Sequence, residues 1–459
     1  MASISTFFLS PNTILSILGL VHGPDKTTPT PAEDWRAARV NVVIPALNEE
    51  ANIVLCLASV ARQSKRPEKI ILVDDGSKDR TIEFAQRFAQ LKGMEVMIIP
   101  RAHPIGKTPT IKRQAREFDA DVEFILDGDT VLESDNYIER AVEELYQGKG
   151  IASACGTILP LRDRDRQKQL AHSPALQKFV EAVPDSMVFP KVSWLHHLQR
   201  GISNLYREVL YMLLQRFIYR GQLVFFGSIL NPVGCAVAYR RQYVKDVFDQ
   251  YEPLLGDDLT NSEDIFIGFA MLNHGYRNIQ LTDVVARSLE PEVSRLPRQL
   301  YLWSSSFLQT CYYFDGLMRS PFKSFKRWNK ERSTPKDILN KRKIFEQYRQ
   351  PFGDDYTRQY GRPIGWVMFM SAVEKIFFPV SMIIMLLLQM WEALLITIAF
   401  ESFVALFALV AAAKGNRLEF LLKGILLTPV RYFVILFDFI TMLRFAGDIW
   451  IFKDKRWRK

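Results

Sequence analysis

The chain is poor in the residues that would tie it together covalently or bind a soft metal. Only four cysteines, Cys56, Cys155, Cys235 and Cys311, occur in 459 residues. They are widely scattered, with no CxxC and no Cys/His spacing, so a disulfide framework and a zinc site are both excluded and a reduced, cytosolic setting fits. No repeat at a solenoid period is present, which excludes a stacked-repeat architecture. No GxGxxG fingerprint follows any strand-like run, which removes the usual dinucleotide-binding loop. The N-terminal apolar stretch Ile4–Val21 lacks a basic n-region and a small-residue cleavage site, so it reads poorly as a signal peptide. A membrane-surface helix and a single span both suit it.

Long apolar runs are scarce before about residue 360 and dense after it, although the averages of 48% hydrophobic and 24% charged look ordinary. Ile376–Met390 and Ala393–Ala413, the latter interrupted only by Glu401, approach the roughly 20 residues needed to cross a bilayer. Trp391 and Glu392 alone separate them, so a tight helical hairpin is expected. Lys375 before it and Lys414 and Arg417 after it put both outer ends on the cytoplasmic side. Leu418–Phe452 is apolar too, but carries Lys423, Arg431, Asp438, Arg444 and Asp448. At 3.6 residues per turn the last four share one broad face, which predicts helices lying in the interface or against protein, divided by Pro429. The tail Lys453–Lys459 is basic and expected to stay cytoplasmic.

The net charge of +9 is concentrated in part between Arg319 and Arg349, where Phe322, Phe325, Trp328 and Phe345 are interleaved. Beside membrane segments this pattern points to anionic lipid headgroups and not to nucleic acid.

What the first half has in quantity is strand–helix alternation. Val40–Ile44, Lys69–Val73, Glu95–Ile99 and Val122–Leu126 read as buried strands with a helical segment before the last. That predicts an α/β fold with a mostly parallel sheet covered on both faces. Polar residues collect where the strands end: Asn48–Glu49–Glu50, Asp74–Asp75, Gly106–Lys107 and Asp127–Gly128–Asp129. Ligands of such sheets bind at that edge. Two carboxylates separated by one small residue repel unless a cation sits between them, and a divalent ion on a diphosphate is the natural candidate. Asn48 is placed to cap the helix that follows.

These stretches, with Gly234–Arg240, Ser262–Glu263–Asp264 and Gly275–Tyr276–Arg277, occur in an order and spacing that resembles the inverting family-2 glycosyltransferases over about residues 40–305. The resemblance implies a GT-A nucleotide-sugar-binding domain. Pro45, Ala46, Glu50 and Asp75 would line the nucleobase and ribose, and Lys107 and Asp127 would contact the nucleotide. Asp129, with Asp127, would hold Mn2+ or Mg2+, and Asp264 would be the catalytic base. Gly256–Asp257–Asp258 offers a second candidate base, six residues earlier. Gln299–Leu300–Tyr301–Leu302–Trp303 resembles the Gln-x-x-Arg-Trp element of polysaccharide synthases and ceramide glucosyltransferases. Leu302 stands where Arg is expected, and Arg298 or Arg295 is the candidate to compensate. Gln299, Trp303 and Glu263 would meet the acceptor.

The implied organisation is a membrane-associated helix and linker (1–38), the GT-A domain (39–290), acceptor-site and interfacial helices (291–365), and transmembrane or interfacial helices with a basic tail (366–459). The long insertion Arg162–Phe226 would pack under the membrane segments, cover the acceptor site or fill the core. The implied function is sugar transfer from a nucleotide-diphosphate sugar, a UDP-sugar foremost, to a growing polysaccharide, or alternatively in one step to a membrane lipid. The setting would be a bacterial inner membrane or its equivalent, with the catalytic domain cytoplasmic.

Overall fold

Nearly every residue of Val40–Ala46 (β1) is buried, as expected of a strand covered on both faces. Its side chains alternate between two cores. Val42 and Ile44 join Phe124 and Leu126 on one side, while Val43 joins Ile71, Val73 and Ile125 on the other. The computed structural model describes residues 34–148, 150–186, 193–256, 262–333, 351–413 and 415–452, with isolated helical positions at 14, 17 and 21. Most of Ile4–Val21, the candidate Asp257–Asp258, part of the basic stretch up to Arg349, and the tail Lys453–Lys459 lie outside the described residues.

Eight strands form one sheet: β1, β2 (Lys69–Asp74), β3 (Met97–Pro100), β4 (Val122–Leu126), β5 (Thr130–Leu132), β6 (Ile151–Pro160), β7 (Ala236–Arg240) and β8 (Arg277–Ser288). Their order is β3-β2-β1-β4-β7-β6-β8-β5. The β3-β2-β1-β4 half is parallel throughout, as the strand–helix alternation predicts. Beyond β4 the sheet is mixed, since β7 runs antiparallel to both β4 and β6, and β5 to β8, while β6 and β8 are parallel. The register pairs Ala46 with Asp74, so the ends of β1 and β2 fall side by side, next to the end of β4.

Asn48 does not cap a helix. It adopts φ 58° and its side-chain oxygen accepts from the Lys78 amide at 2.9 Å, which ties the turn after β1 to the turn after β2. The helix Ile53–Val60 starts only after Asn52. Three further helices frame the crevice: Lys107–Glu117 (α1), Asp163–His172 (α2) and Trp194–Leu213 (α3). Glu263–Asn273 (α4) begins at the expected acidic pair, and Leu296–Tyr313 (α5) carries Gln299 and Trp303.

Three helices near the C-terminus are long and apolar enough to cross a membrane: Gly365–Leu387 (α6), Trp391–Ala412 (α7) and Arg417–Trp450 (α8). The first half of α6 is packed into the protein through Gly365, Val367 and Met368, and its outer half exposes Ile376, Phe377, Ile383, Ile384, Leu386 and Leu387 while keeping Phe378 and Met385 buried. The expected division at Pro429 is absent, because α8 continues through it for 34 residues. A proline removes one backbone bond, and long helical flanks on both sides hold the rest. As expected, the charges of α8 turn to one side, toward protein. Lys423 pairs with Glu208 at 2.7 Å, Arg431 with Glu401, and Asp438 with Lys375 and Ser304. Its opposite flank exposes Leu418, Leu422, Ile425, Leu426, Phe433, Ile440 and Leu443. The insertion helix α3 packs under these segments, with Tyr206 and Val209 against Leu409, Phe420 and Leu427.

Candidate active site

Pro45, Ala46, Glu49, Asp75, Lys107, Asp127 and Asp129 line a cleft of about 270 Å³ at the C-terminal edge of the parallel half-sheet. Gly128 lets the β4 turn close on β1. Its amide donates to the Pro45 carbonyl at 3.2 Å, and a side chain there would meet Ala46 and Glu49. The Asp-Gly-Asp spacing thus sets two carboxylates facing one wall.

Asp75 lines the cleft with its oxygens already engaged. Arg101 and the amides of Ile105 and Gly106 donate to it at 2.8–3.0 Å, which fixes the loop that delivers Lys107. Lys107, the first residue of α1, reaches three groups: Asp127 at 2.6 Å, Glu263 at 2.8 Å and the Gly234 carbonyl at 3.0 Å. Burial works against its charge, but Asp127 and Glu263 hold its pKa well above the ordinary value. Glu263, expected at the acceptor, is therefore bound to this lysine.

Asp264 lies on the other side of the same node. It accepts from the Gly234 amide at 3.1 Å and from its own helix start at the Ile265 amide, 2.8 Å. A β-carbon on Gly234 would fall 2.7 Å from that of Asp264, so only glycine fits. Burial, reinforced by Glu263, pushes the Asp264 carboxyl up to about 6.

The carboxylates of the cleft are crowded. Burial raises Asp127 to about 6 against the pull of Lys107, with Asp129 adding to the rise. Asp129 is raised by burial too, partly offset by Thr130, whose hydroxyl donates to it at 3.1 Å. Glu49 is pushed to about 8, by burial first and then by Asp129. Such mutual repulsion is the electrostatic signature of a place that suits a cation. Among the described residues no three His, Cys, Asp or Glu side chains converge to enclose a metal. A ligand's own oxygens would have to complete the shell.

Glu49 is the residue the sequence reading missed. Of the two adjacent acids, Glu50 turns its carboxylate to the Arg80 amide at 3.1 Å, away from the cleft, while Glu49 lines it. Arg295 and Arg298, the expected compensators for Leu302, are both exposed. The guanidinium over the Trp303 ring, 4.4 Å from its centroid, is that of Arg207 on α3. Arg207 also donates to Gln299 and lies 3.1 Å from Glu290, and both members of this ion pair are almost wholly buried. Tyr211 donates to the same Glu290 at 3.0 Å, and the neighbouring Leu289 amide donates to the Asp129 carbonyl at 3.3 Å. The Gln-x-x-x-Trp element is thus joined to the Asp129 loop through a helix of the insertion.

Residues 41–248 match the family model described as "Glycosyl transferase family 2". Similar curated proteins include an N-acetylglucosaminyltransferase of Azorhizobium caulinodans, 24% identical over 304 residues, with 65% of each chain covered. An undecaprenyl-phosphate 4-deoxy-4-formamido-L-arabinose transferase of Pseudomonas paraeruginosa is 32% identical over 118 residues, 25% of this chain and 34% of the relative. The chain thus spans 65% or less of the length of these relatives. Among solved structures, the mannosyltransferase PcManGT of Pyrobaculum calidifontis, in complex with GDP-Man and Mn2+, is similar at 15% identity and a TM-score of 0.48, covering 97% of this chain and all of that one. The family match runs from β1 through β7, a little under half of the chain, and takes in every cleft residue named above except Glu263 and Asp264, so this stretch is similar to a family-2 glycosyltransferase domain.

Proposed function

We propose that the protein is a membrane-associated, inverting glycosyltransferase that moves a sugar from a nucleoside-diphosphate sugar, UDP-linked in our reading, to an acceptor hydroxyl or phosphate oxygen at the membrane. The observation that carries this reading is the node at Lys107, which holds Asp127 on the donor side and Glu263, next to Asp264, on the other.

In this reading Pro45, Ala46 and Asp75 border the nucleoside. Asp129, with Asp127 and Glu49 beside it, would hold Mn2+ or Mg2+ against the diphosphate. The ion, when bound, supplies charge neutralisation for the departing nucleoside diphosphate. Lys107 adds a fixed cation where negative charge develops. Asp264 accepts the proton of the attacking hydroxyl as the new glycosidic bond forms and the bond to the diphosphate breaks. An acceptor that already presents an ionised oxygen would need no such proton removal. Attack from the face opposite the leaving group inverts the anomeric centre, and no covalent enzyme intermediate is needed.

Both a growing glycan and a membrane lipid suit such a site as acceptor. Arg207 takes one face of Trp303, which leaves less aromatic surface to stack on a sugar ring and favours the lipid. The seating of α8 supports a membrane-side acceptor as well. Lys423 meets Glu208 on α3, and 21 residues later Arg444 lies over Tyr301 on α5. These helices touch each other through Arg207 and Trp303, so α8 runs along the domain, and in our reading it lies in the membrane surface with both its ends on the cytoplasmic side.

The test is to incubate purified protein with a panel of sugar nucleotides and Mn2+ or Mg2+, measuring released nucleoside diphosphate and sizing products by mass spectrometry. We expect release with one donor and a glycosylated product. No release with any donor in a lipid-supplemented assay would overturn the reading.

A further inference from the structure

Beside the donor cleft lies a second, larger cavity of about 490 Å³, within the range of ligand sites. It opens between α2, α3 and α8. Five of its side chains are cationic, Arg162, Arg164, Arg166, Arg200 and Lys423, against two acidic ones, Asp163 and Glu208. Glu208 is shared by Arg162 and Lys423, at 2.7 Å from each. Arg166 is buried and spent on the Ala51 carbonyl and the Asn52 side chain. Arg200 is different. Its Nε is buried without a hydrogen-bond partner among the described residues. It also lies close enough to Arg166 to add to the burial that disfavours the charge of Arg166. A surplus of forked donors around an enclosed space suits a phosphate, whose oxygens accept two such bonds at once.

Two connections give the cavity a direction. Toward the donor cleft, its wall residue Leu289 is hydrogen-bonded to the Asp129 loop, and Asn52, held by Arg166, donates to Glu49 at 2.7 Å. Away from the cleft, the next turns of α3 and α8 line an apolar slot of about 140 Å³. Val209, Leu210 and Leu213 from α3 and Gly424 and Leu427 from α8 are among its lining residues, as is Arg431, and α7 closes it. Lys423 lines the basic cavity and Gly424 the apolar slot, so the two cavities meet α8 at neighbouring positions.

We propose that the two cavities together bind a lipid phosphate, with the phosphate among the arginines and the first part of its chain in the slot. Its assignment as the acceptor rests on the glycosyl-transfer reading above, since the phosphate end then lies on the Asp129 side. The binding itself does not depend on that reading. The same chemistry is also offered by an anionic phospholipid of the surrounding bilayer.

The test uses the full chain with phosphatidylcholine vesicles containing farnesyl monophosphate, farnesol or phosphatidic acid, and inorganic phosphate as competitor. Farnesyl monophosphate is expected to bind about tenfold or more tightly than farnesol, as charged hydrogen bonds imply. Arg200→Ala should erase that preference and Arg200→Lys keep part of it, with donor affinity unchanged in both. Leu210→Trp should weaken the lipid phosphate while leaving competition by inorganic phosphate as it was. Sugar recovered on farnesyl monophosphate assigns the site to the acceptor. Equal binding of phosphatidic acid, without sugar transfer to farnesyl monophosphate, assigns it to a bilayer phospholipid.

Equal affinity for farnesol, indifference to Arg200→Ala, or competition by inorganic phosphate as strong as by the lipid would overturn the proposal. Failure of the transfer reading looks different. In that case no nucleoside diphosphate is released with any acceptor while lipid phosphate still binds.

Discussion

The proposed donor and acceptor halves of the crevice are built by different means. The donor half comes from strand ends made neighbours by sheet register, so Ala46, Asp75 and Asp127 meet because β1, β2 and β4 pair in parallel. The acceptor half comes from helices far apart in the chain, and its central contact, Arg207 with Gln299, spans 92 residues. Residues of the first kind sit in short motifs that can be read in order. Residues of the second kind are fixed by packing, and a substitution there is felt first as lost stability.

If that contrast holds, damage at the node between the halves should strike chemistry alone. Asp264→Asn is expected to lower turnover by up to about 10⁴ for a hydroxyl acceptor, with donor affinity measured by calorimetry nearly intact. Its carboxyl, held at about 6, must be ionised to take a proton. The wild-type rate should therefore fall as pH drops below 6 and level off above it. A rate independent of pH from 5 to 8 would place the proton elsewhere, or point to an acceptor that needs no base. Next, Asp129→Asn should cost about 10³ in nucleoside-diphosphate release without lowering the melting temperature. EDTA should do the same to the wild type, with recovery on adding Mn2+. Full activity in EDTA would break the donor side of the comparison.

On the acceptor side, Arg207→Met leaves Glu290 buried without its partner, and about 3 kcal/mol of stability should be lost in thermal unfolding. A variant as stable as the wild type would mean that α3 is no structural part of the site. The smallest effect is expected from Glu49→Gln. A carboxyl with a higher pKa folded than unfolded binds more protons in the folded state. Stability without metal should therefore decline as pH rises from about 4.5 to 8, by a few kcal/mol at most. The glutamine variant should lose that decline and show a smaller Mn2+-induced rise in melting temperature.

The same contrast decides what the sequence disclosed. Val122–Leu126 was legible as a strand because it is short, apolar and cut off by Asp127, and its parallel neighbours followed from alternation with helices. The mixed half of the sheet was not, because β7 between β4 and β6 is a long-range pairing with no local mark. Glu49 and Glu50 are chemically equal neighbours, and the left-handed turn at Asn48, which the sequence alone does not fix, precedes the point where one turns in and the other out. Arg207 carried no motif of its own. Of the three places open to the insertion, the one under the C-terminal helices is the one its apolar residues Tyr206 and Val209 take. Pro429 misled because local propensity was outweighed by the continuity of the helix around it.

The unbroken apolar flank of α8 has a mechanical consequence. A helix of 34 residues is about 51 Å long, well beyond the roughly 30 Å of hydrocarbon that an upright span must match. Laid along the surface, as we propose, it would act as a keel. It sets how deep the protein rides, and it needs no agreement with the bilayer's thickness. Loosely packed or curved membranes, which offer gaps for Leu422, Phe433 and Ile440, should then hold the protein more firmly than flat, tightly packed ones. The crevice would be carried with the keel at a constant height above the lipid surface, wherever the protein drifts in the plane.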